Sequence, residues 1–248
     1  MSELAYAWRQ FRLERRMFWR NPSAAFFSFL LPLIFVVIFG AVFAGDAKDR
    51  DIVLPGIAGM NIMSTTFTAL AMNLTFLREQ GVLKRVRGTP LSASAYLGGV
   101  VANAVVNAVV QVAIVVLAGR AFFGLPWPDD WMALAVFLLV GVAAFAALGI
   151  AFSHLIPNFD AAPAYVNVVF LPMIVIGGVF FDPAHSTAVL SDIARVLPIS
   201  HLVAGLRGAM VNGSGLGHHL GDLVVLALWG AAGLYFAARG FSWEQKRE

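Results

Sequence analysis

Residues 131–159 read WMALAVFLLVGVAAFAALGIAFSHLIPNF, a run without one Asp, Glu, Lys or Arg. At a helical rise of about 1.5 Å per residue, some 20 apolar residues match a hydrocarbon layer about 30 Å thick. The run is long enough to cross such a layer. Lipid offers no water to its backbone N–H and C=O groups, so they must pair within the segment, as they do in a helix. A transmembrane helix over about 131–154 is the reading.

Five more stretches repeat the pattern. Ser23 to Ala44 and Ile52 to Leu77 are free of charge, as is Gly88 to Gly119, whose dense apolar part begins near Tyr96. Ala161 to Phe181 follows Asp160, and His219 to Ala238 carries only Asp222, close to its start. Spans are predicted at about 23–44, 55–77, 93–119, 131–154, 162–181 and 219–238. Over 248 residues, 60% are hydrophobic and 12% charged, where a soluble domain carries about 25% charged. That is too little polar surface for a soluble protein. The short alternating segments of a membrane barrel are missing too. The fold class is an all-α integral membrane protein with six transmembrane helices. With no Cys, disulfides, thiol catalysis and thiolate metal sites fall away. The first span follows basic residues 1–22, is too long for a signal-peptide core and lacks a small-residue cleavage site.

Basic residues set the orientation. Arg9, Arg12, Arg15, Arg16 and Arg20 precede the first span; Arg78, Lys84, Arg85 and Arg87 lie between the second and third; Arg239, Lys246 and Arg247 follow the sixth. These are twelve of the 17 Lys and Arg, all on one side. Both termini are therefore expected in the cytoplasm. The net charge of +3 reflects this topology rather than a nucleic-acid surface.

Residues 3–20 read as an amphipathic helix. Leu4, Ala7, Trp8, Phe11, Phe18 and Trp19 share one arc, while Arg9, Arg12, Arg16 and Arg20 share another; Arg15 intrudes on the apolar side. Such a helix lies in the headgroup layer, with Trp8 and Phe11 in the interface and Arg12 and Arg16 toward anionic lipid. Residues 78–90 suit a short helix across the cytoplasmic face, tied to two spans; a solvated positive-inside loop is the alternative. Thr89-Pro90 has the form of a cap followed by a first-turn proline, which would start the third span there. Residues 182–217 are only moderately apolar and are punctuated by Pro198, His201 and Arg207. Two short helices that dip into the outer leaflet and return fit this segment.

Chemistry is mostly excluded. A phosphate-cradling loop ends in Gly-Lys-Ser/Thr, and Lys48, Lys84 and Lys246 follow Ala47, Leu83 and Gln245. Asn212 to His219 resembles a serine-hydrolase elbow only superficially and reads as a turn. Its histidines lack a carboxylate or third ligand at a usable spacing for a metal. No ionisable residue sits at the middle of a span, which argues against a proton-coupled carrier; a backbone-lined sodium site is the alternative for a gradient-driven one. An intramembrane enzyme would need a nucleophile–base pair, and none is recognisable. Two polar stripes remain. Asn103, Asn107 and Gln111 share a face of the third span. Asn61, Thr65, Thr68 and Thr75 mark the second, with Asn73 nearby. Asn61, Thr65, Thr68 and, on the fifth span, Asn167 are candidates for a substrate path; hydrogen bonding between helices is the alternative.

The stretch Arg78 to Leu91, REQGVLKRVRGTPL, resembles the Arg-Glu-x-Gly-Thr-Leu-Lys-Arg-Leu-x-x-Thr-Pro-Leu pattern of ABC-2 type transporter permeases. Val82 stands where Thr is common. Gly177-Gly178-Val179-Phe180-Phe181, then Leu197-Pro198-Ile199-Ser200-His201 and Arg207, is similar to the family's exit from its fifth helix and the segment that follows. The resemblance implies a bacterial plasma-membrane homodimer of six-helix subunits, bound to two copies of a separate cytoplasmic ATPase. That partner would bind ATP and Mg, and this chain would bind no cofactor. Residues 1–22 would be the connecting helix and 23–248 one six-helix domain. Residues 78–90 would be the coupling helix, with Arg78, Glu79, Gly81, Leu83, Lys84, Arg85 and Arg87 serving the ATPase. Among them Glu79, Leu83 and Arg85 would touch the partner. The chain is thus expected to be a permease subunit of an ATP-driven exporter, not an enzyme itself, moving a hydrophobic or amphipathic compound. The Leu-Lys-Arg variant is similar to drug and antibiotic exporters of the daunorubicin-resistance type, and exporters of polysaccharides or lipid-linked glycans share the fold.

Overall fold

The computed structural model describes residues 2–42, 47–180 and 187–240, and among them every regular element is helical. Phe181, Lys246 and Arg247, which entered the reading above, lie outside the described residues, as does the start of the 182–217 segment. Five helical stretches are long and apolar enough to cross a membrane: Pro22–Val42, Asp51–Glu79, Ala93–Phe123, Trp131–Phe152 and Leu216–Arg239. A bent pair, Ala188–Ala194 and Pro198–Asn212, turns by 87° at its break. This is the broken pair expected between the last two spans.

Helix α1 (Glu3–Arg20) is the amphipathic leader. Asn21 caps the next helix, its Oδ1 accepting from Ala24 N–H at 3.1 Å, and Pro22 takes the first helical position, where its missing N–H costs nothing. Helix α2 (Pro22–Val42) follows. Helix α3 (Ala47–Met63) runs through a π-helical segment, Ser64–Thr68, into α4 (Ala69–Glu79). The short α5 (Val82–Arg87) then leads to α6 (Ala93–Phe123).

Helix α6 begins later than Thr89-Pro90 suggests. Thr89 Oγ1 turns back to donate to Val86 C=O at 2.7 Å, so it serves the end of α5. The cap of α6 is Ser92, whose Oγ accepts from Ala95 N–H at 3.2 Å. Asp130 caps α7 (Trp131–Phe152) in the same way, accepting from Ala133 N–H at 2.9 Å. Helix α8 covers Ala162–Ile176, 15 residues, about 22 Å of helix. The stretch read as a full span at 162–181 therefore stops short, where Gly177 N–H returns to Met173 C=O at 2.8 Å. Helices α9 (Ala188–Ala194) and α10 (Pro198–Arg207) form the broken pair; α10 ends in a π turn, Gly208–Asn212. A 3-10 turn, Leu216–His219, opens α11 (Leu220–Gly240).

Burial separates centre from periphery. The α3–α4 span is 72% buried and α7 61%, against 22% for α2 and 17% for α11. The first pair is the core and the second lies at the periphery of the subunit. The main cluster gathers Ile57, Ile62, Phe137, Phe145, Leu202, Leu206 and Leu226, all fully buried. Lipid tails are as apolar as these side chains, so close packing and hydrogen bonds, not water expulsion, hold the helices together. A second cluster, with Leu70, Leu74, Leu83, Tyr96 and Ile150, sits under α5.

Candidate functional site

Two regions carry the residues singled out from the sequence. The first is the α4–α5 corner. Gly81, at φ +65°, makes the left-handed turn that lets the chain leave α4 and start α5 at no steric cost. Leu83 is 1% exposed and plugs α5 into the cluster beneath it, leaving Lys84, Arg85 and Arg87 on the outer surface. Leu83 thus anchors the segment; it is not displayed on it. Arg78 points into the subunit, and Glu79, itself exposed, reaches across to the next turn. Arg78 Nη2 donates to Ser153 C=O at 2.6 Å and Ile156 C=O at 3.2 Å, and its Nη1 lies 3.5 Å from His154 Nδ1. Ser153 is the C-cap of α7, where helical acceptors lack partners of their own, and Ile156 lies in the turn beyond it. Glu79 Oε2 accepts from Phe159 N–H at 2.6 Å. The seven residues therefore divide: Arg78 and Glu79 brace α4 against the α7–α8 turn, and three cations face outward from an anchored helix.

The second region is a cavity of about 630 Å³ bounded by α1, α2, α3–α4 and α6, with Phe170 of α8. Asn61 and Thr65 line it as part of α3 and the π segment, together with Asn73 of α4. The facing wall is the α6 stripe: Asn103, Asn107 and Gln111. Thr65 Oγ1 donates to Gln111 Oε1 at 2.6 Å, and Gln111 Nε2 donates to Ser28 C=O of α2 at 3.0 Å. Asn61 is 6% exposed, and its Nδ2 has no hydrogen-bond partner among the described residues.

Two of the four predicted path residues stand elsewhere. Asn167 lies exposed on α8, and Thr68 is not part of the wall. The π segment explains Thr68. In an uninterrupted α-helix, positions 61, 65 and 68 would share a face. The wider i→i+5 turn of Ser64–Thr68 inserts a residue, so the wall continues through Ala69, Leu70 and Asn73. Thr75, counted in the same stripe, is buried and donates back to Ala71 C=O at 2.8 Å.

Helix α1 closes the cavity's edge. It runs beside the first half of α6: Glu3 Oε2 accepts from Ser94 Oγ at 3.4 Å, and a Cβ on Gly99 would lie 2.6 Å from Gln10 Cβ. Farther along, Arg15 Nη1 donates to Asn107 Oδ1 at 2.5 Å and Asn103 Oδ1 at 3.3 Å. Its guanidinium also lies over Phe18 and Trp19. Glu14 lines the cavity and accepts from Gln10 Nε2 at 2.7 Å. Burial raises the Glu14 carboxyl above its ordinary pKa, against the smaller pull of that hydrogen bond. Trp8, Arg12 and Arg16 face outward, and Phe11 is half-buried against Trp8. The sequence flagged Arg15 as an intruder on the apolar arc; its acceptors were the stripe on α6.

At the opposite end, Asp222 joins the broken pair to the last span. Its Oδ1 meets His201 Nδ1 at 2.6 Å and its Oδ2 meets His219 Nδ1 at 2.8 Å. His201 Nε2 lies 2.9 Å from Arg195 C=O. A carboxylate does stand beside His219, as a hydrogen-bond partner and not as part of a group of three His, Cys, Asp or Glu able to hold a metal among the described residues. His219 and Asp222 are three apart on one helical face, a spacing visible in the sequence, and α10 delivers His201 to the other oxygen. Ser214 Oγ continues the chain to His219 Nε2 at 2.9 Å. The backbone of Gly208 presses on this pair, since a Cβ there would sit 2.7 Å from Ser214 Oγ. The arrangement clasps the turn before α11 to the broken pair. Trp229 Nε1 donates to Val196 C=O at 2.9 Å, and Arg207 Nη2 to Gly178 C=O at 3.4 Å. Pro198 is buried at the first helical position of α10.

A family model described as ABC-2 type transporter matches residues 4–211, from α1 through the π turn after α10. Nodulation protein J of Sinorhizobium fredii is 27% identical over 178 residues, 69% of this chain and 66% of that protein. The putative transport permease YvfS of Bacillus subtilis is 23% identical over 200 residues, 79% of this chain and 81% of its own. The inner membrane transport permease YadH of Escherichia coli is 20% identical over 180 residues, 70% of each chain. The chain spans just under two thirds of nodulation protein J and more of the other two.

Proposed function

The chain belongs to the ABC-2 type transporter family, and from that premise we propose that it is the permease subunit of an ATP-driven exporter. Its cargo is a hydrophobic or amphipathic compound, a drug, antibiotic or lipid-like molecule taken from the cytoplasm or inner leaflet. A separate cytoplasmic ATPase, in two copies on a permease homodimer, binds ATP with Mg and hydrolyses it. The assembly sits in a bacterial plasma membrane with both termini of this chain in the cytoplasm. The positive residues around α1 and α5 support that orientation, and YadH is named as an inner-membrane permease.

The observation that carries the reading is the build of α5. A six-residue helix that offers only charge would slide over the surface. This one is pinned by Leu83 and flanked by Arg78 and Glu79, which are themselves bonded to the α7–α8 turn. A partner pressing on Lys84, Arg85 and Arg87 therefore moves α4, α6 and the start of α8 together. Closure of the ATPase pair would tilt this corner and shift the spans.

The test is gentle purification from the native membrane with identification of co-purifying proteins. A stoichiometric soluble ATPase, lost in Arg85→Glu while the variant stays folded and inserted, is the expected result. A homogeneous protein without an ATPase under several mild detergents, or normal export by Arg85→Glu, would overturn the proposal.

A further inference from the structure

The cavity between α1, α2, α3–α4 and α6 has the two-sided character of a binding site, and we infer that it takes the polar head of an uncharged, acceptor-bearing membrane amphiphile. The inference rests on the reading of the chain as an exporter permease and names the chemistry of what it carries. Amide and hydroxyl groups come from two facing walls: Asn61, Thr65 and Asn73 of α3–α4, and Asn107 of α6. Aromatic surface comes from α2 and α8, with Phe35 and Phe170. A volume of about 630 Å³ falls within the ~300–1,000 Å³ of ordinary ligand pockets. It accommodates a head and the first part of its chains.

Two observations fix the chemistry. Asn61 is 6% exposed, lines the cavity and leaves its Nδ2 without a partner among the described residues. A buried donor left unmade is costly; the Nδ2 is closed to solvent as it stands, and a turn of the amide toward the cavity brings it to a ligand oxygen. The charges at the edge are already engaged. Arg15 is held by the carbonyl oxygens of Asn103 and Asn107, and Glu14 by Gln10. One cation and one carboxyl leave no surplus charge to match a charged head, and an unmatched charge in this low-dielectric wall is strongly disfavoured. A neutral ester, hydroxyl or amide head meets every requirement. Because Arg15 ties α1 to the α6 stripe, the same helix that borders the cavity can open its edge by releasing two hydrogen bonds.

The experiment uses the full chain purified from membranes and reconstituted in phosphatidylcholine nanodiscs. Three probes share their chains and differ in head: dioleoylglycerol, dioleoylphosphatidylglycerol and dioleoyltrimethylammonium-propane. Retention is read by native mass spectrometry. Dioleoylglycerol should reach half-saturation at roughly tenfold lower concentration than either charged lipid, and Asn61→Leu should erase that advantage, since one hydrogen bond is worth up to about a decade of affinity. Asn73→Leu on the same wall should weaken retention in the same direction, which keeps the test decisive if Asn61→Leu fails to fold. Asn167→Leu, on the exposed face of α8, should change nothing. Equal or stronger retention of a charged probe, or full retention of dioleoylglycerol by the folded Asn61 and Asn73 variants, would overturn the inference. Co-purification of the ATPase is scored on the same samples. If it persists while retention shows no headgroup preference, the ligand chemistry is wrong and the exporter reading stands; loss of the ATPase alone has the opposite meaning.

Discussion

Replacing Arg78 by Met asks how much of the α4–α7 junction one guanidinium holds. Met keeps most of the aliphatic stem and adapts to irregular space, so the change removes hydrogen bonds more than packing. Lost with the guanidinium are the bonds to Ser153 C=O at 2.6 Å and Ile156 C=O at 3.2 Å. Hydrogen bonds between membrane helices average about 0.6 kcal/mol, which sets a floor near 1 kcal/mol for the pair. Charge-assisted bonds are worth about 1.5–3 kcal/mol each, which sets a ceiling near 6 kcal/mol. Arg78 is 9% exposed, so water cannot readily replace the lost donor and the result should lie toward the middle, about 3 kcal/mol. For a chain of this size that is a fall in Tm of about 6–12 °C. Arg78→Lys, a single point charge without the planar fork, should lose about half as much. The assay is thermal unfolding in nanodiscs. A local readout is maleimide labelling of Ser153→Cys, at a position 1% exposed in a chain without native Cys. Labelling should accelerate in the Met variant. A Tm within about 2 °C of wild type, with position 153 still protected, would refute the idea that Arg78 braces the junction.

Other perturbations test α1. Gly99→Ala places a Cβ 2.6 Å from Gln10 Cβ and 2.8 Å from Ala7 C=O; overpacking of this kind costs about 1–3 kcal/mol. Trypsin should then cut α1 at least tenfold faster, whereas Gly98→Ala, whose nearest neighbour would be 3.9 Å away, should leave the rate unchanged. Glu14 has a raised pKa in the folded protein. Its contribution to stability is present below the ordinary value of 4.5 and is lost as pH rises through the raised value. Glu14→Gln should therefore gain in Tm relative to wild type across that window and hold a constant advantage above it; parallel Tm curves from pH 4 to 8 would exclude a destabilised carboxyl.

The spans were legible because hydropathy over 20 residues is a bulk property that survives any detail of packing. The leader's bounds were legible too, from arginines at helical spacing ahead of Asn21-Pro22. What escaped was local geometry. Thr89-Pro90 has the composition of a cap, but Ser92 three positions on does that work, and both patterns are stereochemically sound. The π segment has no compositional signature, and it alone moves Thr68 off the wall that Asn61 and Thr65 share. The stripe Asn103, Asn107, Gln111 was visible as a face, while its partners were distant in sequence: Arg15 and Ser28 reach it only once α1 and α2 pack against α6. His219 and Asp222 were within reading distance, yet the third member, His201, comes from the far side of a turn.

That last arrangement bears on how the protein is made. The broken pair α9–α10 leaves the ribosome before the residues that secure it, since Asp222 and Trp229 lie on the final helix. The partner on which α11 chiefly packs, α7, is already in the bilayer by then. During synthesis the pair therefore waits at the far surface, its His201 imidazole and Val196 carbonyl served by water or by lipid headgroups. Arrival of α11 is the step that locks it, so insertion of this helix is a natural place for quality control to look.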